Sequence, residues 1–558
     1  MRIIKSTDTP SFMESTQNAR VFVVSNRGPA QFHQRADGRS IPRPTSGGLA
    51  TALVSAAAQS QLTWIAVAGN EADRHAFAER QYRSVRIDNI SITTRYVPVS
   101  DRLYRMYYDD VSNRTLWFLQ HYLFHADKEP NFTLQDRRSW EEGYVQINRC
   151  VAATVVDELR QLSTEERKQA IVLVQDYHMY LVPGMIREQL PNVRMGHFVH
   201  IPWPSVRYWN FIPAMFTQQI MQSMVCNDFV GLQTAVDVDH FTSSIQNFLP
   251  DVSVRERRGI ATIDTNDRQF HAKAYPIGIH PQRVQEIANS NKAQRAYAQT
   301  QKIVNGRQII LRVDRVEPTK NIVRGLLAFE LLLDQHPELV KEVCFVLMLV
   351  PSREGVTRYR RYATSITKLV QKINDKFGEK VVINVQGNNQ GRALAAMREY
   401  DVMLVNSIID GMHLGAKEGA VVNENDGVLV ISRTAGVYQE MENGASLGIV
   451  PTDIQETADS LYKVLREMTP QERHKMSTKA ARIASSHTVI DWLADQLKDL
   501  QGIIIPEDID EPVAATIIPC ANINNDSDNR PSSVRRLPRT EPPPLIPDML
   551  VSEQIANQ

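Results

Sequence analysis

The sequence predicts an α/β protein in which two Rossmann-like, doubly wound domains face a cleft, followed by a disordered C-terminal tail. Three observations carry that prediction. At 558 residues the chain is too long for one hydrophobic core. Apolar runs of about four to eight residues, the pattern of strands buried on both faces, alternate with longer segments of helical period. That alternation occurs twice in succession, and a Pro-rich segment follows it.

The first set of runs lies within residues 19–280. It opens with Val21-Phe22-Val23-Val24 and continues at 171–174, 196–201 and 229–232, with a helical segment at 140–162. The second set, within 281–485, has strands predicted at 309–313, 343–350, 381–385, 402–405 and 428–431, with helices at 323–335 and 357–377. An amphipathic segment at 489–500 falls within 486–505. Residues 506–558 hold nine of the 28 prolines, and residues 1–18 are polar. Such segments bury too little apolar surface to offset the entropy of ordering, so both ends are expected to be disordered.

Composition excludes some function classes. Lys plus Arg and Asp plus Glu both total 63, so no global field favours nucleic acid or an anionic membrane. No apolar run approaches membrane-spanning length, and residues 1–18 lack a signal-peptide core. Cys150, Cys226, Cys344 and Cys520 stand far apart without zinc spacing, which reads as reduced thiols in a cytoplasmic protein.

Polar clusters fall just after predicted strands, where open α/β sheets bind ligands. Ser25-Asn26-Arg27 is followed by Thr45-Ser46-Gly47-Gly48, whose glycines allow close backbone approach to an anion. Gln175-Asp176-Tyr177-His178 and the stretch from Phe198 through His200 to Pro204 end adjacent runs and bring an acid and two histidines toward one crevice. His178 reads equally as a core histidine bonded to backbone. Arg315 and Lys320, around Pro318 at a strand-to-helix junction, suit a diphosphate or else form a solvated cation pair. Asp410-Gly411-Met412-His413-Leu414-Gly415-Ala416-Lys417-Glu418 runs from a strand into a helix. There Asp410 accepts from sugar hydroxyls and Glu418 reaches a ribose diol, while Lys417 pairs with an acid. Asp237-Val238-Asp239 has the form of a metal motif, yet it reads as a helix start after 229–232. A GxGxxG dinucleotide loop is missing after the first strand.

In order and spacing, SNR…SGGL, QDYH, FVHIPWP, RVDRVEPTK and DGMHLGAKE resemble the trehalose-6-phosphate synthases, glycosyltransferase family 20. The resemblance implies a GT-B fold over roughly 20–502, with the amphipathic helix crossing back to the first domain. It implies a metal-independent, retaining transfer of glucose from UDP-, GDP- or ADP-glucose to glucose 6-phosphate, with no cofactor and with homo-oligomerisation left open. By motif, Arg315 and Lys320 neutralise the donor diphosphate, Glu418 binds the ribose, and Gly48 approaches the phosphates. Asp410 and the backbone of Gly411, Met412, His413 and Leu414 hold the donor sugar, and His200 contacts it near the reacting carbon. Arg27, Tyr108, Trp117, Asp176 and Arg353 match the acceptor positions. The catalytic set is then Arg315, Lys320, His200 and Asp176.

Departures from the family pattern gather at the acceptor. Val67 stands where a second, acceptor-facing Trp is usual; Val111, Asn321 and His413 also differ. Trp64–Ala68 and the residues after it resemble the validoxylamine phosphate synthase branch. A cyclitol phosphate or glycerol 3-phosphate acceptor, or a non-catalytic regulatory subunit, are the alternative readings.

Overall fold

Val21–Ser25, Ile171–Gln175 and Phe229–Leu232 are buried at every position, which is why each reads as an unbroken apolar run. The computed structural model describes residues 20–503, except 36–39, 46–53, 55–61, 79–81, 88, 89 and 379. Gly48 and both predicted disordered ends, 1–18 and 506–558, lie outside the described residues.

The first sheet has ten strands. From edge to edge they are Ser253–Arg257, Ile260–Asp264, Gln269–Ala274, Phe229–Leu232, Arg194–Phe198, Ile171–Gln175, Val21–Ser25, Leu62–Ala68, Ile90–Pro98 and Tyr82–Ile87. Its interior pairs are parallel, whereas the pairs among 253–274 and between 82–87 and 90–98 are antiparallel. The second sheet has six strands, all parallel: Val382–Gln386, Val343–Val350, Gln308–Arg315, Val402–Val405, Val428–Ser432 and Leu447–Ile449.

Strand order fixes where ligands can sit. In the first sheet the chain winds outward both ways from Val21–Ser25, so the switch point lies between that strand and Ile171–Gln175. In the second it lies between Gln308–Arg315 and Val402–Val405. A crevice opens beyond the carboxyl ends of the strands at such points. The motif clusters stand at these four strand ends.

The predicted strand 196–201 is corrected to Arg194–Phe198. Beyond it Pro202 and Pro204, which have no N–H to donate, carry the chain out of the sheet. The final helix, Val489–Gln501, starts at a capping box of Thr488 and Asp491. It packs on the first sheet: Trp492 meets Phe198 edge-on at 4.8 Å, and Lys273 pairs with Asp499 at 2.8 Å. A Cβ on Gly196 would lie 2.8 Å from Leu500, so only glycine admits the helix this close. Two segments cross between the sheets, and they touch: the Val489 N–H donates to the Ile279 carbonyl at 3.0 Å.

Among the described residues, Cys226 and Cys344 are free thiols. No helix among the described residues is long and apolar enough to cross a membrane.

Candidate active site

At the first switch point, Ser25-Asn26-Arg27 leaves one strand as Gln175-Asp176 leaves its neighbour. Arg27 reaches into the cleft and donates to the Tyr108 hydroxyl at 2.9 Å. It makes no ion pair among the described residues, so its charge is available to an anion. Tyr108 lies on a long helical stretch that includes Arg105–Leu116 and Trp117–Gln120, and its ring stacks on His178 at 5.7 Å. Burial, with Arg353 and Arg27 adding to it, drives the His178 imidazole well below its usual range and keeps it neutral.

Asp176 has φ 70° and ψ 171°, a backbone conformation that L-residues rarely hold. Three neighbours keep it there. The His200 N–H donates to its carboxylate at 3.3 Å, the His197 ring donates to its carbonyl at 3.1 Å, and its own N–H donates to Phe198 at 2.7 Å. Burial pushes its carboxyl up to about 6, against backbone hydrogen bonds from Tyr177 and His200 and two arginines. His200 donates from Nε2 to the Gln175 side chain at 3.0 Å, and burial next to His197 lowers it to about 3. It is therefore a neutral imidazole.

Across the cleft the second switch point is crowded with paired charge. Arg312 donates to Asp314 at 2.8 Å, His413 donates to the same carboxylate at 3.0 Å, and Lys320 pairs with Asp410. Burial alone would raise the Asp410 carboxyl, but Lys320 and His413 hold it well below its usual range. Arg315, half exposed, pairs with Glu317 at 2.9 Å, and Arg353 approaches Glu317 at 3.4 Å. Arg353 also lies over the Trp117 ring at 3.9 Å, with Arg315 at 5.6 Å from the same ring. One indole of the first half thus receives two cations of the second. Its N–H is buried without a protein acceptor.

His413 adopts φ 68° and ψ 70°, and the helix Leu414–Val422 begins there with no side-chain cap. The first N–H groups of that helix are left to bind an anion or a hydroxyl. A Cβ on Gly411 would lie 2.2 Å from the His200 carbonyl, so the turn meets the opposite wall backbone to backbone. Met412 is core, which leaves only its backbone to face a ligand. Glu418, partly exposed, has no ion pair among the described residues, and burial raises it to about 7. Lys417 instead bonds Glu440 at 2.6 Å and the Ile277 carbonyl at 2.9 Å, the structural role foreseen for it.

The structure thus brings Arg27, Tyr108, Trp117, Asp176, His200, Arg315, Lys320, Arg353, Asp410, Gly411 and His413 to the two facing switch points, and Leu414 and Glu418 lie on the helix that follows. Thr234 caps the helix Ala235–Phe248 by accepting from the Asp237 N–H, and the Asp237 carboxylate accepts from the Thr234 hydroxyl and from the Trp203 N–H at 2.9 Å. Val67 is 2% exposed and belongs to the core cluster that includes Phe22, Ile65 and Tyr107, so its side chain is core. Motif reading missed Glu317, which gathers Arg315 and Arg353, and Asp314, which gathers Arg312, His413 and Lys320. An acid beside each arginine was the only available signal.

Residues 19–502 match glycosyltransferase family 20. The chain belongs to this family. Among its relatives, the Aspergillus fumigatus alpha,alpha-trehalose-phosphate synthase [UDP-forming] 1 is 30% identical over 87% of this chain and 90% of its own length. The Pichia angusta synthase of the same description is also 30% identical, over 86% and 98%. Among solved structures of the family, an E. coli trehalose-6-phosphate structure bound with UDP-2-fluoro glucose superposes with a TM-score of 0.74 at 26% identity, covering 88% and 100%. A Burkholderia xenovorans synthase in complex with glucose-6-phosphate gives 0.73 at 27% identity, covering 87% and 100%. The two-sheet GT-B architecture of this family 20 chain is the one those structures have.

Proposed function

We propose that the chain is a retaining, metal-independent glycosyltransferase that moves glucose from a nucleotide-glucose to glucose 6-phosphate, giving α,α-trehalose 6-phosphate. In this reading residues 19–280 hold the acceptor and 281–485 the donor, while 486–505 return to the first domain. The observation that carries the reading is the pair of unmatched charges: among the described residues Arg27 lacks an acid on the first wall and Glu418 lacks a base on the second. A phosphate on the acceptor and a ribose diol on the donor are what each lacks. UDP is the favoured nucleotide, because the UDP-forming synthases are the relatives that match over most of the chain.

The donor diphosphate lies against Arg315, Lys320 and the uncapped start of Leu414–Val422. Those groups stabilise the charge that develops as the bond from C1 to the phosphate oxygen breaks. Asp410 and the turn backbone orient the sugar, and neutral His200 offers it a hydrogen-bonding ring without competing for a proton. The acceptor hydroxyl attacks from the same face and passes its proton to the departing phosphate oxygen. Configuration is retained without an enzymic nucleophile. Asp176, ionised above about 6, accepts from acceptor hydroxyls while Arg27 and Arg353 hold the phosphate. Phosphorylated substrates of this kind suit a cytoplasmic enzyme.

The test is to incubate purified chain with UDP-, GDP- or ADP-glucose and glucose 6-phosphate, then follow nucleotide release and product mass. A disaccharide phosphate formed equally well in EDTA is the expected result. Saturable donor binding with no transfer to glucose 6-phosphate overturns the acceptor, and no donor binding overturns the enzyme.

A further inference from the structure

Tyr104 lies outside the acceptor motifs, yet it completes the pocket they form. Its ring stacks on Tyr108 at 5.2 Å and 18°, and Tyr108 stacks on His178 at 5.7 Å and 12°. The three rings stack face to face in a column beside Arg27, so the face of Tyr104 turned away from Tyr108 is the end of that column. Tyr104 is partly exposed, with Asn26 and Arg27 next to its phenol. The phenol reaches over the end of Leu62–Ala68, where a Cβ on Gly69 would lie 2.9 Å from the hydroxyl oxygen. Val67 lies beneath, in the cluster against which Tyr104 packs. That strand therefore supplies floor, and Tyr104 supplies wall.

The ring face at the end of such a column rewards a flat partner. A six-membered ring with equatorial hydroxyls presents a face of C–H groups that an aromatic stack can cover, while its edge reaches polar groups. A short linear polyol phosphate has no such face and must give up more rotational freedom to lie against one. Both carry the phosphate that Arg27 and Arg353 attract, so the cations alone do not discriminate between them.

We propose that Tyr104, rather than position 67, sets acceptor specificity, selecting a phosphorylated six-membered polyol ring over a linear polyol phosphate. The inference rests on the acceptor reading above. Its test is calorimetric binding of glucose 6-phosphate and of glycerol 3-phosphate to the full chain in the presence of UDP, for wild type, Tyr104→Ala, Tyr104→Phe and Val67→Ala. Tyr104→Ala is expected to weaken glucose 6-phosphate by about tenfold and glycerol 3-phosphate by less than about twofold, with UDP-glucose affinity unchanged. Tyr104→Phe keeps the ring and with it most of the discrimination. Val67→Ala lowers the melting temperature without moving either acceptor affinity.

Equal losses for both probes in Tyr104→Ala, or no loss, overturn the proposal, as does a Val67→Ala loss as large as that of Tyr104→Ala. If Tyr104→Ala also loses UDP-glucose, it is misfolded and Tyr104→Phe decides: discrimination kept supports the wall, discrimination abolished overturns it. A wild type that binds inositol 1-phosphate but not glucose 6-phosphate sinks the synthase reading alone, and the same variants are then read with inositol 1-phosphate. A wild type that holds glycerol 3-phosphate as tightly as either ring sinks the Tyr104 proposal.

Discussion

The two switch points are built from the same kind of strand end, but they treat charge in opposite ways. At the second, Arg312, Asp314, Lys320, Asp410 and His413 are buried or nearly so and interlocked. At the first, Arg27 is exposed and held by one bond to a phenol, and the rest of the wall is aromatic. The second is therefore organised before a donor arrives, which suits stabilising charge that appears only as a bond breaks. The first is a cation on a platform, which suits grasping one of several phosphorylated acceptors. Chemistry is fixed on one wall and selectivity is left to the other.

Breaking the interlocked side should have the largest effect. Arg315→Ala and Lys320→Ala are each expected to lower kcat by about 10²–10³, the loss of one preorganised charge contact. The two should differ in stability. Lys320→Ala strands the Asp410 carboxylate and costs about 3–5 kcal/mol, while half-exposed Arg315→Ala leaves the melting temperature nearly unchanged. Steady-state rates paired with thermal melts separate them, and equal melting temperatures would count against the interlocked reading.

Asp176 sharpens the contrast from the other side. Its carboxyl is raised by burial to about 6 from an unfolded value near 4, so the folded state holds the proton more tightly. The stability this contributes is complete below about pH 4 and is lost as pH rises through about 6. Asp176→Asn is then expected to stabilise the fold at pH 8 by up to about 3 kcal/mol relative to wild type, with little change at pH 4, while acceptor turnover falls. Denaturant titrations at both pH values check the sign.

Arg27→Ala should raise the KM for the acceptor about tenfold to a hundredfold while the donor KM and the melting temperature stay put, a split that kinetics with both substrates varied would reveal. The smallest effect belongs to Glu418. With its carboxyl at about 7, UDP-glucose affinity is expected to rise about tenfold from pH 6 to pH 8 as the ribose partner ionises. The site histidines whose values fall are already neutral there: His200 at about 3 and His197 at about 4. Glu418→Gln should flatten the profile, and a profile that stays steep would reassign the titrating group.

How much of this was legible depended on burial. Val343–Val350 and Val402–Val405 were predicted to the residue because central parallel strands admit only apolar side chains. The strands at 82–98 and 253–274 escaped notice because edges facing water alternate or carry charge, as Ser253–Arg257 does. Strand ends pointed to Arg27, Asp176, Arg315 and Asp410, whose type and position coincide. Tyr104, Asp314 and Glu317 act through neighbours that only the fold brings together, so no local spacing announces them. Val67 taught the converse: a residue opposite a family landmark in sequence had turned into the core.

The touching of the two crossings at Ile279 and Val489 has a mechanical consequence. Two connections that lie side by side along one edge work as a door hinge does, permitting swing and resisting slide. Displacement then grows with distance from the edge, so a small angular change beside the crossings becomes a wide opening at the far lip of the cleft.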